Sequence, residues 1–352
     1  TPGSTPQRIE LPAPDGKTSL PLMVSVPGDK ESMFGILVNY SPQPVGARLR
    51  INLAASMDGK VLDETWKVYD ANFTGKYGDI EDWWGDLVTA GVDSNPVNFH
   101  DPDAVLIGKA KAAIPWSTVL PVGEDFYRAT IAPDGRSVTL RQLDLATGFV
   151  KLDINTAVTP THILLQETTK LEGAILNVVP AKKGGSVKVP AGTWQLVSGR
   201  LEKGARTSMQ QVRIYKGQSA PIEVKAGETA TLALGGPYRL EAVTKLDGKM
   251  TKLVANTLRV FGRAREEYAM FFDESLQPDV EVRGADGHKL GKPEKLRRPD
   301  VEAWQASTES DRMMWFPLDF QVENVKAEKL QLRLTQKSQS LLGGPFDSDW
   351  IP

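Results

Sequence analysis

Apolar and polar residues alternate one for one along much of this chain. "ARLRINLAA" (47–55), "SVTLRQL" (137–143) and "LQLRLTQ" (330–336) each place hydrophobic side chains on every second position. Successive side chains of a strand point to opposite faces, so this pattern predicts antiparallel strands with one buried and one wet face. "FGILVNY" (34–40) is a largely apolar run of strand length. Asp-Gly recurs at 15–16, 58–59, 134–135, 247–248 and 286–287, close to the alternating runs. That dipeptide accepts the positive φ angles of tight hairpins, so each copy predicts a turn. No long window keeps a 3.6-residue period. The best short helix candidates are 81–90 and 263–270.

The strands group into three segments, 1–155, 156–238 and 239–352, the first with an acidic insertion at 63–103. In the second segment, "VPAGTWQLVSG" (189–199) sets a Pro-Ala-Gly turn before a strand that begins with an aromatic, and "VKAGETATLAL" (224–234) reads as a closing hairpin. These phrases resemble carboxypeptidase-regulatory-like and other immunoglobulin-like sandwiches over about 80 residues. The third segment has the same short-strand texture. The expected fold is therefore all-β, with two to three immunoglobulin-like β-sandwich domains in tandem.

Composition narrows the function. The chain has 352 residues, a net charge of −2, 24% charged residues and no cysteine. Near-neutral charge gives no global field for nucleic acid. No 18-residue apolar run is present, so no membrane-spanning helix is expected. Absence of cysteine removes disulfides, zinc–thiolate sites and cysteine nucleophiles. The opening "TPGSTPQ" has neither Met nor an apolar segment and is read as a mature or truncated product. With the missing cysteines it suggests an exported protein: periplasmic, cell-surface or secreted.

Charge is unevenly spread. Residues 63–103 hold 10 acids and 2 bases, a patch that repels itself unless cations or hydrogen bonds compensate. Inside it lies "YDANFTGKYGDIED" (69–82). With Asp70 at position 1, Asn72 falls at 3, Thr74 at 5, Gly75 at 6, Lys76 at 7, Gly78 at 9 and Glu81 at 12. This order resembles the calcium loop of EF-hand and related DxDxDG proteins. Alternate oxygens turn inward, a glycine permits the bend, position 7 offers its carbonyl and position 12 a bidentate carboxylate. The resemblance implies a calcium ligand set drawn from Asp70, Asn72, Thr74, the Lys76 carbonyl and Glu81, with Asp79 and Asp82 as alternative late ligands. Thr74 departs from the usual Asp or Asn, and "DETWKVYD" before the loop reads as a strand rather than a helix. The other reading is a polar turn, since Asp and Asn bond their own backbone and Gly accepts positive φ. A second acidic stretch, 93–108, holds Asp93, Asn95, Asp101 and Asp103. It reads chiefly as a loop into the strand "AVLIG" and secondarily as a source of further ligands.

Catalytic signatures are sparse. The three histidines, His100, His162 and His288, are far apart, and no HExxH pair, nucleophile elbow or phosphate loop is present. "LGGP" occurs twice, at 234–237 and 342–345. "DIEDWWGD" (79–86) sets carboxylates beside Trp83 and Trp84, which makes a carbohydrate-binding surface the alternative function and glycoside hydrolysis a more distant one. The reading is a non-catalytic exported structural or ligand-binding protein with a calcium-ordered loop. Its partners would be protein or polysaccharide at the cell envelope.

Overall fold

The computed structural model describes residues 7–12, 19–25, 50–53, 56–69, 77–78, 103–108, 114–132, 137–171, 173–204, 210–270, 277–297, 318–324 and 330–352. Among them every regular element is a strand, so the protein is all-β. In chain order the strands are β1 (Gln7–Pro12), β2 (Ser19–Ser25), β3 (Arg50–Leu53), β4 (Ser56–Val61), β5 (Glu64–Tyr69), β6 (Ala104–Ile107), β7 (Ile114–Pro115), β8 (Val119–Val122), β9 (Asp125–Ile131) and β10 (Val138–Leu143). Then follow β11 (Thr147–Asn155), β12 (Pro160–Glu167), β13 (Ile175–Asn177), β14 (Ser186–Pro190), β15 (Gly192–Lys203), β16 (Gln210–Tyr215), β17 (Ile222–Val224) and β18 (Thr229–Gly235). The last are β19 (Tyr238–Asp247), β20 (Met250–Phe261), β21 (Glu267–Met270), β22 (Asp279–Arg283), β23 (Glu294–Lys295), β24 (Phe320–Glu323), β25 (Gln331–Gln336) and β26 (Phe346–Asp347).

β1, β2 and β3 pair in that order into a sheet of their own. Two further sheets, β4-β5-β6-β7 and β10-β9-β8, share one hydrophobic core. Trp66 and Val68 of β5, Val105 of β6, and Leu120, Val122, Ala129 and Ile131 of β8 and β9 fill it around Trp116. Trp66 and Trp116 meet edge to face with centroids 6.5 Å apart, a favoured arrangement of aromatic quadrupoles. The Asp58-Gly59 turn expectation is corrected here. Both residues lie inside β4, opposite Lys67 and Trp66, and the hairpin turns a few residues later at Leu62 and Asp63, with φ of 49° and 63°. Asp247-Gly248 and Asp286-Gly287 do sit at turns, with positive φ at each glycine. The copies at 15–16 and 134–135 lie outside the described residues.

The second core joins β11, β14 and β18 to the opposing β12, β15 and β16. "VPAGTW" carries the chain from one sheet to the other: β14 pairs with β11, whereas β15 pairs with β12. Trp194 enters the core fully buried, and its indole N–H donates to the Pro190 carbonyl at 2.9 Å. The crossover therefore leaves no buried donor unpaired at its largest side chain. "VKAGETATLAL" is not the closing hairpin expected. β17 pairs with β15, and β18 crosses to lie parallel to β11. Ser117 ties the two cores together, its hydroxyl accepting from the Ile175 N–H at 2.8 Å and lying 3.1 Å from the Gly173 carbonyl.

β19 and β20 form a long hairpin that carries this core onward. One end of β20 pairs with β21, which also pairs with β16, and the other end pairs with β24. The sheet therefore runs unbroken across position 238. Residues 263–270 form a turn followed by β21 rather than the helix that their pattern allows, because Glu266 is drawn inside. The other helix candidate, 81–90, lies outside the described residues. Near the C terminus, Ile351 bridges to Leu332, and the Arg283 guanidinium covers the Trp350 ring at 4.0 Å, so the tail docks on the sheet.

Candidate functional site

Asp103 is fully buried one residue before β6, on the same strand parity as the buried Val105. Its carboxylate accepts the Gly78 N–H at 2.5 Å, and its own carbonyl accepts the Trp116 N–H at 2.6 Å. One residue thus grips the tail of the acidic loop with its side chain and the core tryptophan with its main chain. A carboxylate out of water needs such donors, and bonds to a charged acceptor are among the stronger ones.

Gly78 is the right residue at that contact. Its φ is 81°, which an L side chain rarely adopts. A Cβ there would also lie 3.2 Å from Trp116 Nε1 and from Ile131 Cδ1. Tyr77, beside it, packs against the same core from a half-buried position. Position 9 of the calcium-like loop is therefore fastened to the Trp66–Trp116 core. The expected ligands Asp70, Asn72, Thr74, Lys76, Asp79, Glu81 and Asp82 lie outside the described residues, as do Trp83, Trp84 and His100. Among the described residues no group of three His, Cys, Asp or Glu side chains is placed to hold a metal ion. Asp103 was visible in the sequence only as one member of an acidic stretch. Its signal was an acid two residues before a buried strand position.

Two more buried carboxylates fasten turns. Glu167 closes β12 and accepts from the Thr169 N–H at 2.9 Å and from the Lys170 and Leu171 N–H groups at 2.6 Å, with the Thr169 hydroxyl at 2.5 Å. Burial pushes this carboxyl up, but the donors at Leu171, Thr169 and Lys170 outweigh it and hold the pKa below its ordinary value. Glu266 accepts from the Gly235 N–H at 2.5 Å, the Tyr268 hydroxyl at 2.8 Å and the Ala264 N–H at 2.9 Å. Here burial wins over the donated bonds, and the pKa stands above its ordinary value.

The two described histidines sit in contrasting places. His288 is exposed on the turn that follows Asp286, whose carboxylate accepts its N–H at 3.0 Å. His162 is half-buried on β12, in cross-strand register with Arg200, which is itself opposite Arg213. Burial first, and then the two guanidinium groups, bring its pKa down to about 4, so the ring is neutral near pH 7. Glu167 is turned toward the backbone donors of the turn that follows it, and Glu266 toward the Ala264 N–H of its own turn and the Gly235 N–H of the neighbouring one. What these buried acids do chemically is order chain reversals.

No protein-family model matches the sequence, and no curated protein or solved structure matches it.

Proposed function

We propose that this chain is an exported, non-catalytic structural or ligand-binding protein whose first sandwich carries a calcium-ordered loop at 69–82. The observation that carries the reading is the buried Asp103–Gly78 bond: the loop with calcium-like spacing is attached at its position 9 to a packed tryptophan core. An ion held by Asp70, Asn72, Thr74, the Lys76 carbonyl and Glu81, or by Asp79 or Asp82 in place of the last, would offset the repulsion of the 63–103 patch. With only two or three carboxylates, the affinity would fall in the weak range of extracellular modules, about 10⁻⁴–10⁻³ M. The ion's role in this reading is structural, and the assembled sandwich surface meets protein or polysaccharide at the cell envelope.

Calorimetric titration of calcium into chelator-treated protein, repeated on Asp70→Ala, tests the reading. Saturable heat that the substitution abolishes supports it. Equal heat in both proteins, or none in either, refutes the loop as a calcium site.

A further inference from the structure

We infer that the outer face of β15 and β16 carries a binding site for a phosphate or sulfate group, formed by Arg200, Arg213 and the Tyr215 hydroxyl. It draws on no residue of the calcium-like loop. β12, β15 and β16 turn Ile163, Leu201, Val212 and Ile214 into the second core. The alternation of a strand therefore sets His162, Arg200, Arg213 and Tyr215 on the opposite face. His162 lies opposite Arg200 and Arg200 opposite Arg213, while Tyr215 stands between Ser198 and Glu267 in the next row. Neighbouring strands are about 4.8 Å apart, so the two guanidinium groups spring from adjacent positions. Like charges directly opposite one another destabilise a sheet, and an anion shared between them removes that cost.

Tyr215 adds the sign of a missing acceptor. Its oxygen is buried and makes no hydrogen bond. Burial pushes its pKa up against the Arg213 guanidinium beside it, so the phenol keeps its proton near neutral pH. Arginine offers donors only and cannot take that proton. Buried donors are rarely left unmade, and an oxyanion oxygen is the acceptor that the surrounding charge favours. The acids of this face are engaged by other arginine contacts: Glu202 holds Arg200 at 2.5 Å, and Glu267 lies 3.2 Å from Arg259. Arg200, Arg213 and Arg259 together exceed these two carboxylates by one charge, three against two. Side-chain exposure of 35% at Arg200 opens the site to solvent, and the Tyr215 hydroxyl closes its inner end. Two guanidinium forks and a hydroxyl, carried at three backbone positions, suit a tetrahedral group with several acceptor oxygens.

Calorimetric titration of sodium phosphate and sodium sulfate into the full chain near pH 7, against sodium chloride at matched ionic strength, tests the site. Saturable heat with either oxyanion and none with chloride is expected. Tyr215→Phe removes only the hydroxyl, so affinity is expected to fall about 10- to 100-fold, the worth of one bond to a charged group. Without anion the same variant is expected to melt no lower than the wild type, because the lost hydroxyl bonds nothing inside the protein. His162 gives a second readout by proton NMR, with His162→Gln identifying its resonance. Burial and the two guanidinium groups hold its pKa at about 4. Sulfate bound between those groups is expected to raise it, relative to chloride, toward the ordinary imidazole value of about 6.5. Glucose 6-phosphate separates the sources of the group, and either result supports the site: tighter binding than inorganic phosphate assigns a phosphate carried on a larger molecule, and equal binding assigns the free ion. No oxyanion heat and no His162 response in the wild type overturns the site, as does binding that Tyr215→Phe leaves at full strength. A lower melting temperature for Tyr215→Phe without anion overturns it too, since the hydroxyl then already has its acceptor.

Discussion

Tyr238 and Phe346 lie opposite each other in parallel strands, ring centroids 5.0 Å apart, and each follows the same four residues, Leu-Gly-Gly-Pro. The two copies also share a buried leucine, Leu234 and Leu342, and a glycine with φ near 90°, Gly235 and Gly343. Each motif turns the chain into its strand, β19 for the first and β26 for the second, and the two turns interlock. The Tyr238 hydroxyl lies 3.0 Å from the Asn155 carbonyl and 3.3 Å from that of Leu342, so its one proton has an acceptor at the end of β11 and another in the second motif.

Trimming either side chain tests that interlock. Phe346 is fully buried, and Phe346→Ala is expected to cost about 3–5 kcal/mol by the usual range for such truncations. Tyr238→Phe keeps the ring and loses only the hydroxyl, so about 1–2 kcal/mol is expected. Urea unfolding followed by fluorescence measures both. A smaller loss for Phe346→Ala than for Tyr238→Phe would mean that the polar tie, not the packing, holds the joint.

Glu167 and Glu266 should respond to pH with opposite sign. The folded pKa of Glu167 is depressed, so its contribution is present above the unfolded value of about 4.3 and is lost as pH falls through the folded value. The folded pKa of Glu266 is raised, so its contribution is full below the unfolded value and is lost as pH rises through the folded one. Denaturant unfolding across the range from about pH 3 to about pH 7 separates them. The penalty of Glu167→Gln relative to wild type is expected to shrink toward acid, and that of Glu266→Gln to grow. Penalties that move in the same direction for both would contradict the assigned environments.

The sequence revealed strands where alternation was regular, and misled where a tertiary partner decided the outcome. β10 and β25 fall within one residue of "SVTLRQL" and "LQLRLTQ", because period two follows directly from the pleat. "VKAGETATLAL" has hairpin chemistry, yet its two strands pair with β15 and β11 in different sheets, and nothing local encodes that choice. Residues 263–270 allow a helical spacing, but Glu266 finds the Gly235 and Ala264 amides and the segment turns instead. Asp103 illustrates the same limit at the candidate site. Its partners are 25 and 13 residues away in the chain, so its role as an anchor appears only when β5, β6 and the Trp116 segment come together.

The β4–β5 hairpin offers a stabilising change. Leu62 and Asp63 both adopt left-handed φ in the turn between β4 and β5, and Leu62 is 52% exposed there. A leucine in that region costs about 1–2 kcal/mol, a strain that Asn or Gly largely avoids. Shortly before it, Gly59 occupies a strand position where a Cβ would meet nothing within 4 Å. Leu62→Asn and Gly59→Thr are therefore each expected to stabilise the protein, by about 1 kcal/mol and about 0.5–1 kcal/mol. The two sites lie on one hairpin, so the double variant also tests whether the gains add. Calorimetric melting of the singles and the double measures this. A loss of stability in Gly59→Thr would show that Asp58-Gly59 forms the turn after all, and that the pairing of Gly59 with Trp66 is not the register in solution.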